Sequence, residues 1–332
     1  MTLQKTPQAL CCGVFCFLAL CFSSCEKKAR ETANWPTGQS TPDHQALTEP
    51  SINKERNRTQ TPIGKETTLL AYNVYNYLWM QRGSKSDGLQ AKPEREIRDL
   101  IKHITKIKPD ILGMCEIGTQ ADLDDLSRRL SAKQLDYPYQ YLHHGVDPYR
   151  RLALLSKHPF TVHSNTLTSF KMDGRKYEML RGMLDVTMNI NGSPVRLIGI
   201  HLKSQRKSKH YDQERFRRHE AHMVREHVLM ALKTNKDLIL YGDFNDHLNS
   251  ASIRAIAGKA HSQHYLKALE LSDDDGNRWT HYWRHQDLYS RLDYALASPS
   301  MLQRINKTDS KIERPHQWSR ASDHHPLLIK FR

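Results

Sequence analysis

The sequence predicts an α+β chain in which stacked mixed β-sheets are covered by helices. Three observations lead there. Short β-rich runs alternate with helical-period stretches, a strong hairpin signal interrupts that alternation, and no internal repeat divides residues 67–332. Thr67–Tyr75 (TTLLAYNVY) reads as the first strand. Glu94–Ile107 follows as a helix, with Ile97, Leu100, Ile101, Ile104 and Ile107 at helical spacing and Pro93 placed to start it. Asp110–Glu116 (DILGMCE) is a short buried strand, Ala121–Leu130 a helix, and Tyr139–His143 and Leu152–Ser156 are strands. Between Arg181 and Leu202 two β-rich runs flank Asn191-Gly192, the pair that closes tight hairpins. A long helix fits Asp212–Leu232, and strands are expected at Asp237–Gly242, Trp279–Trp283, Asp293–Ala297 and Pro326–Phe331. Hairpins mixed with β–α alternation exclude a purely parallel doubly wound sheet.

The 332 residues carry 50 basic and 36 acidic side chains, a net charge of +14, and the mean hydropathy is −0.71. No uncharged apolar run reaches the roughly 20 residues of a membrane-spanning helix, which excludes a polytopic membrane protein. Five of the six cysteines crowd into the first 25 residues, so they are no disulfide framework. Leu10–Phe22 is instead a short apolar stretch behind Lys5, followed by Ser23 and Ser24, as in a secretory signal. Phe22-Ser23-Ser24-Cys25 resembles a bacterial lipobox, although Phe22 stands where Leu is usual. Residues 1–25 are therefore expected to be a signal peptide. Lipidation of Cys25 would tie the protein to a membrane, while simple cleavage would secrete it; either makes it extracytoplasmic. Residues 26–66 read as a flexible polar tether. Lys5 and the tether's single excess basic residue account for two of the fourteen charges. The other twelve fall on residues 67–332, and a basic domain favours polyanionic partners.

Polar residues end several of the apolar runs: Asn73, Glu116, His201, Asp243 with Asn245, and Asp293, while Asp323-His324 precedes the last strand. A carboxylate there is costly to bury unless it is paired or binds a metal. One such residue reads as a cap or ion pair; several at one topological position read as a site.

LAYNVY, PDILGMCE, LILYGDFND, SRLDYALAS and SDHHPLLIKF, in that order, resemble the endonuclease/exonuclease/phosphatase superfamily. Pancreatic-type deoxyribonuclease, the abasic-site endonucleases, neutral sphingomyelinases and inositol polyphosphate 5-phosphatases belong to it. The resemblance spans Thr68 to Arg332 and implies a four-layer α/β sandwich: two stacked mixed β-sheets flanked by helices, as one catalytic domain over residues 67–332. It implies that Glu116 and Asp323 hold the metal with Asn73 completing or supporting the shell. Asp243 and Asn245 would orient the attacking water and contact the phosphate. His324, paired with Asp293, would contact a phosphate oxygen, His201 would occupy the site strand, and Arg181 would contact phosphate. Residue 75 is Tyr where some members carry a metal-side Asp.

These residue types suit the chemistry. Mg²⁺, with Mn²⁺ as the alternative, takes one or two carboxylates plus substrate phosphate. A carboxylate near water can act as general base, and Asp243 is the candidate; Asp243 and a histidine both remain open for that role. His325 reads as a cap on the last strand. His143, His144, His158, His163, His210, His219, His222 and His227 read as surface or helix-face residues, Asp273–Gly276 as a solvated turn, and Cys115 as a small core residue.

The stretch Lys203–Arg218 leaves the His201 strand with seven Lys or Arg and two acidic residues. It is expected to track phosphates through Lys203, Arg206, Lys207 and Lys209. Tyr211, Trp279, Tyr282, Trp283 and Tyr289 suit base stacking or a core equally. The expectation is a monomeric, metal-dependent phosphodiesterase, a nuclease on DNA or RNA. The alternatives are a phospholipid-headgroup phosphodiesterase or a phosphomonoesterase, and an inactive polyanion-binding module. No exposed apolar hairpin suited to a membrane is expected.

Overall fold

The computed structural model describes residues 66–164 and 168–332. The expected signal segment, Cys25 and all of the expected tether except Glu66 lie outside the described residues. Twelve strands build two six-stranded sheets: β1 (Thr67–Tyr77), β2 (Ile111–Ile117), β3 (Tyr139–His143), β4 (Arg151–Ser156), β5 (Phe160–Val162), β6 (Met183–Ile190), β7 (Ser193–His201), β8 (Leu238–Asp243), β9 (Lys267–Ala268), β10 (Asp293–Ala297), β11 (Lys311–Ile312) and β12 (Leu327–Phe331). The helices are α1 (Glu94–Ile107), α2 (Gln120–Ser131), α3 (Gln213–Thr234), α4 (Ala251–Ala257) and α5 (Pro299–Leu302).

The first sheet runs β11-β12-β1-β2-β4-β3 and the second β9-β10-β8-β7-β6-β5. Each holds one parallel pair at its centre, β1 with β2 and β7 with β8; every other neighbour is antiparallel. A parallel pair needs a crossover, which α1 and α3 supply. Because both crossovers return to the starting edge, the carboxyl ends of all four central strands open the same way within their sheets.

Period-2 alternation sorts the layers. Leu69 and Ala71 of β1 join Leu197 of β7 and Ile239 of β8 in a core between the sheets. Leu70, Tyr72 and Val74 point the other way, against Leu100 and Ile104 of α1 and Leu123 and Leu126 of α2. Leu238 and Leu240 pack likewise under Val224 and Val228 of α3 and Ile253 of α4. Three apolar seams separating four layers make the expected sandwich, and each fully buried Leu or Ile stabilises it by about 1.5–3 kcal/mol. Close approach is built into the middle seam. A Cβ on Gly113 would lie 2.3 Å from the Tyr241 ring, so β2 needs glycine there.

Local chemistry sets the ends. Asp212 caps α3 by accepting from the Arg215 amide at 2.7 Å, and Ser250 caps α4 through the Ile253 amide at 3.2 Å. Asn191 (φ 53°) and Gly192 (φ 82°) turn the β6–β7 hairpin in the left-handed conformation their sequence suggests.

The expected strand Trp279–Trp283 differs. Only His281–Trp283 is extended, and it pairs with Leu288–Ser290 in a separate ribbon rather than in a main sheet. Three readings of single residues also change. His158 is buried, not on the surface, whereas His227 lies on the buried face of α3 with Nε2 2.5 Å from Asp185 Oδ2. His325 is buried between Trp279 and Trp318, ring centroids 4.2 and 4.4 Å away, and does not cap a strand. Asp273 is a buried turn-former accepting from the amides of Asp275 and Asn277.

Candidate active site

Asn73, Glu116, His201 and Asp243 sit at the carboxyl ends of β1, β2, β7 and β8. Asp293 begins β10, directly opposite Asp243 in the antiparallel register. Asp323 and His324 precede β12, which runs antiparallel to β1 and therefore starts at the same edge. At this edge a direct side-chain hydrogen bond links the two sheets: Asn73 Nδ2 donates to Asp243 Oδ2 at 3.1 Å.

The backbone is bent to present these groups. β1 and β2 both lose register near their ends, and Tyr75, Asn76 and Glu116 take φ of 50°, 56° and 69°. Non-glycine residues hold that region at a cost, and such bulges cluster beside active sites. The two bulges are joined, since the Asn76 amide donates to Glu116 Oε2 at 2.9 Å. Lys92, buried, donates to the Tyr75 carbonyl at 2.9 Å and supports the same bend. At the end of β8, Gly242 has φ 135° and a Cβ there would lie 2.0 Å from the Ile200 carbonyl. Asn245 then turns back with φ 51°. Its amide donates to Asp243 Oδ1 at 2.8 Å and its side chain to the Leu202 carbonyl at 2.9 Å. That is the physical content of the G-D-x-N pattern.

His324 Nδ1 lies 2.7 Å from Asp293 Oδ2, and its Nε2 lies 3.9 Å from both Asp243 Oδ2 and Asp323 Oδ1. Burial opposes its charge, but Asp293, Asp243 and Asp323 together prevail and hold its pKa well above the ordinary histidine value. His201 Nε2 is 3.5 Å from Asp243 Oδ2, yet burial, then Arg181 and His324, keep its pKa well below the ordinary value. The two imidazoles are thus shifted in opposite directions, His324 toward the charged form and His201 toward the neutral one. Burial lifts the Asp243 carboxyl to about 7, with Asp293 and Glu116 adding to the rise and His324 opposing it. Burial also lifts Asp323 to about 6, with Glu116 adding to it.

Glu116 and Asp323 fit a hard cation. Their oxygens are the donors such an ion takes, and Asp323 Oδ1 is buried without a hydrogen-bond partner. Among the described residues, His281, Asp323 and His324 bring ligand atoms within 4.8 Å of one another, as do Asp243, Asp293 and His324. A doubly protonated imidazole has no lone pair for a metal, so the upward shift of His324 favours the carboxylates of these groups as the donors. Asn73, expected in the metal shell, gives its amide to Asp243 and accepts from the Tyr75 amide at 3.1 Å.

Arg181 is buried and pairs with Asp147 Oδ2 at 3.0 Å, while Arg150 reaches within 3.8 Å of Glu116. The basic stretch divides. Arg206, Lys207 and Lys209 are exposed, and the Arg206 charge reaches inward far enough to help depress His281. Lys203 differs from the expected phosphate contact: it is buried, with Nζ donating to Ser204 and to the Arg206 carbonyl. Burial lowers it to about 8.

Sequence reasoning missed several supports. Ser322 Oγ donates to the Asn73 carbonyl at 2.7 Å and accepts from the His324 amide at 3.0 Å, which explains the serine before Asp323-His324. Thr280 Oγ1 accepts from the Leu292 and Asp293 amides, each at 3.0 Å. The His281 ring lies beside His324, tilted by 51° with centroids 4.7 Å apart. Glu220, buried on α3, accepts from the Leu180 amide at 3.1 Å and the Lys203 amide at 2.6 Å, joining the segments that carry Arg181 and follow His201. Only the Trp-Thr-His-Tyr-Trp alternation hinted at Thr280 and His281. The ribbon also exposes Trp283, Leu288 and Tyr289, against the expectation of no exposed apolar hairpin. Tyr211 packs on Phe216 at 4.5 Å and Trp279 on Trp318 at 5.3 Å, both as structural aromatics.

A histidine held by a carboxylate and shifted toward its charged form, a second carboxylate lifted toward neutrality and a metal-suited acidic pair converge on one edge. That is the equipment of a phosphoester hydrolase. The chain belongs to the endonuclease/exonuclease/phosphatase family, whose sequence pattern matches residues 70–324. The family's enzymes hydrolyse phosphoester bonds and depend on divalent metal. No curated protein matches the chain in sequence.

Among solved structures, the human nocturnin catalytic domain with bound sulfate superposes with a TM-score of 0.53 at 19% identity, covering 81% of this chain and 94% of that one. A family member from Bacteroides vulgatus gives 0.55 at 14% identity, covering 80% and 98%. Sphingomyelinase C from Streptomyces griseocarneus gives 0.53 at 15% identity, covering 80% and 99%. At these identities the likeness is one of fold.

Proposed function

We propose that this protein is a divalent-metal-dependent nuclease that hydrolyses DNA or RNA phosphodiesters by in-line attack of water. The observation that carries the nucleic-acid reading is the exposed basic loop bearing Arg206, Lys207 and Lys209. It leaves the strand that ends at His201 and projects its charge toward His281. In this reading His324, oriented by Asp293, donates to a non-bridging phosphate oxygen. Asp243, lifted to about 7, accepts the proton of the attacking water, and Asn73 and the Asn245 amide hold its two oxygens in place. Asn245 contacts the phosphate, and Arg181 supplies a second fixed positive charge. Glu116 and Asp323 would hold the Mg²⁺ or Mn²⁺, which supplies charge neutralisation at the phosphoryl and leaving oxygens.

The test sets plasmid DNA, RNA, sphingomyelin and p-nitrophenyl phosphoesters side by side, with metal and with EDTA. Cleavage of a polynucleotide that chelator abolishes is the expected result. Turnover confined to sphingomyelin or to a phosphomonoester overturns the nuclease reading. We also propose that Cys25 is lipidated and holds the enzyme at a bacterial membrane. A Cys25→Ser variant that stays fully in the membrane fraction refutes this.

A further inference from the structure

Ten large apolar side chains stand exposed among the described residues, and nine of them lie at the site edge. They come from the end of β1 and the segment after it, the loop between β3 and β4, the loop after β8 and the 281–290 ribbon. Apolar exposure concentrated in this way marks an interaction surface.

The ribbon is tied to the site and packed on itself. The Tyr282 amide donates to the Asp323 carbonyl at 3.0 Å, and the Tyr282 hydroxyl donates to Asp287 Oδ1 at 2.9 Å, closing the turn. The Tyr282 and Tyr289 rings stack at 4.6 Å and 26°, with the Trp279 edge against Tyr289 at 4.7 Å. Tyr289 is nevertheless 51% exposed. One residue before this stacked pair, His281 touches His324. A fixed aromatic surface therefore begins next to the expected phosphate position, and its rings are ordered before any ligand arrives. Residues 284–287, the tip between the two strands, are Arg-His-Gln-Asp, all exposed. A polar tip opposes insertion into lipid, and its Arg284 suits a neighbouring phosphate.

We propose that the Tyr282–Tyr289 stack is a platform for an unpaired base beside the scissile phosphate, so that the substrate is a single-stranded polynucleotide. This rests on the nuclease reading above. The faces of duplex bases are already covered by their neighbours, whereas an unpaired base offers a free π-face that any ring can stack upon. Loss of one such contact by alanine substitution weakens binding by roughly five- to 150-fold.

The experiment measures kcat/KM of the full chain with Mg²⁺ on a 20-residue oligo(dT), on oligo(rU), on a blunt duplex of equal length and on bis(p-nitrophenyl) phosphate. Wild type, Tyr289→Ala and Tyr289→Phe are compared. Wild type should prefer a single strand to the duplex about tenfold or more, and the two oligomers separate DNA from RNA. Tyr289→Ala should lower the ratio of single-strand to small-diester kcat/KM about tenfold, chiefly through KM, and Tyr289→Phe should restore it. Equal loss on oligomer and small diester overturns the platform in favour of a merely structural ring. Duplex cleavage as fast as single-strand cleavage overturns the platform alone. Hydrolysis of the small diester with no polynucleotide cut overturns the nuclease reading as well. A ratio unchanged by Tyr289→Ala, with lost binding to phosphatidylglycerol vesicles, overturns the platform and assigns the ribbon to lipid.

Discussion

Asp293→Asn isolates what keeps His324 cationic. The Asp293–His324 contact is 2.7 Å between Oδ2 and Nδ1, and both side chains are buried. With charge centres ~4 Å apart and an effective dielectric of about 20, their attraction is about 4 kcal/mol. Asn keeps the shape and removes the charge. The burial that disfavours imidazolium then faces only Asp243 and Asp323, each 3.9 Å from Nε2. The proton should be lost at lower pH than in wild type. In the proposed mechanism the protonated form is the phosphate donor, so activity should fall as pH rises through the His324 pKa, and the substitution should move that alkaline limb downward. At pH 7.5, kcat should drop by about 10²–10³-fold, the cost of removing one transition-state hydrogen-bond donor. The assay is a pH profile of kcat/KM on bis(p-nitrophenyl) phosphate, paired with NMR titration of the His324 ring and a melting curve to exclude unfolding. An alkaline limb that stays where wild type has it refutes the role of Asp293 in holding the charge.

Glu116→Gln should weaken Mn²⁺ binding by isothermal titration calorimetry and reduce turnover in parallel; unchanged binding would move the metal elsewhere. Cleavage of single-stranded substrate should fall steeply with salt, and replacing Arg206, Lys207 and Lys209 together by Ala should flatten the log–log slope by roughly 2. A slope left intact would deny the loop its phosphate contacts. Gly113→Ala should destabilise the fold by about 1–3 kcal/mol in urea, because the new methyl meets the Tyr241 ring across the sheets; wild-type stability would show that the seam can yield. Burial between two tryptophans pushes His325 down to about 3, while the unfolded chain takes up that proton near 6.5. Its contribution is complete above about 6.5 and falls by about 1.4 kcal/mol per pH unit below that, so His325→Phe should flatten the acid loss of stability. An unchanged pH slope would contradict a buried neutral ring.

The strands and long helices were legible because their signals are local. Ile97 to Ile107 repeat at helical spacing, and Asn191-Gly192 turns a hairpin by its own backbone preference. The shared edge of Asn73, Glu116, His201 and Asp243 was legible for a related reason, since helical crossovers return every parallel strand in the same sense. The separate ribbon was not legible, because WTHYW has strand composition whether or not a sheet edge is there to receive it.

By itself the sequence determined which residue types stand at the strand ends and that the folded part is basic. Only the tertiary structure decided what those residues are to one another. Asn73 and Asp243 lie 170 residues apart and meet because two sheets stack. Stacking also pushes the pKa of His324 up and that of His201 down, buries Lys203 and His325, and sets Tyr282 and Tyr289 beside the site. Charge state and exposure depend on distances through space and on lost water, and neither is carried by the identity of a residue or its neighbours in the chain.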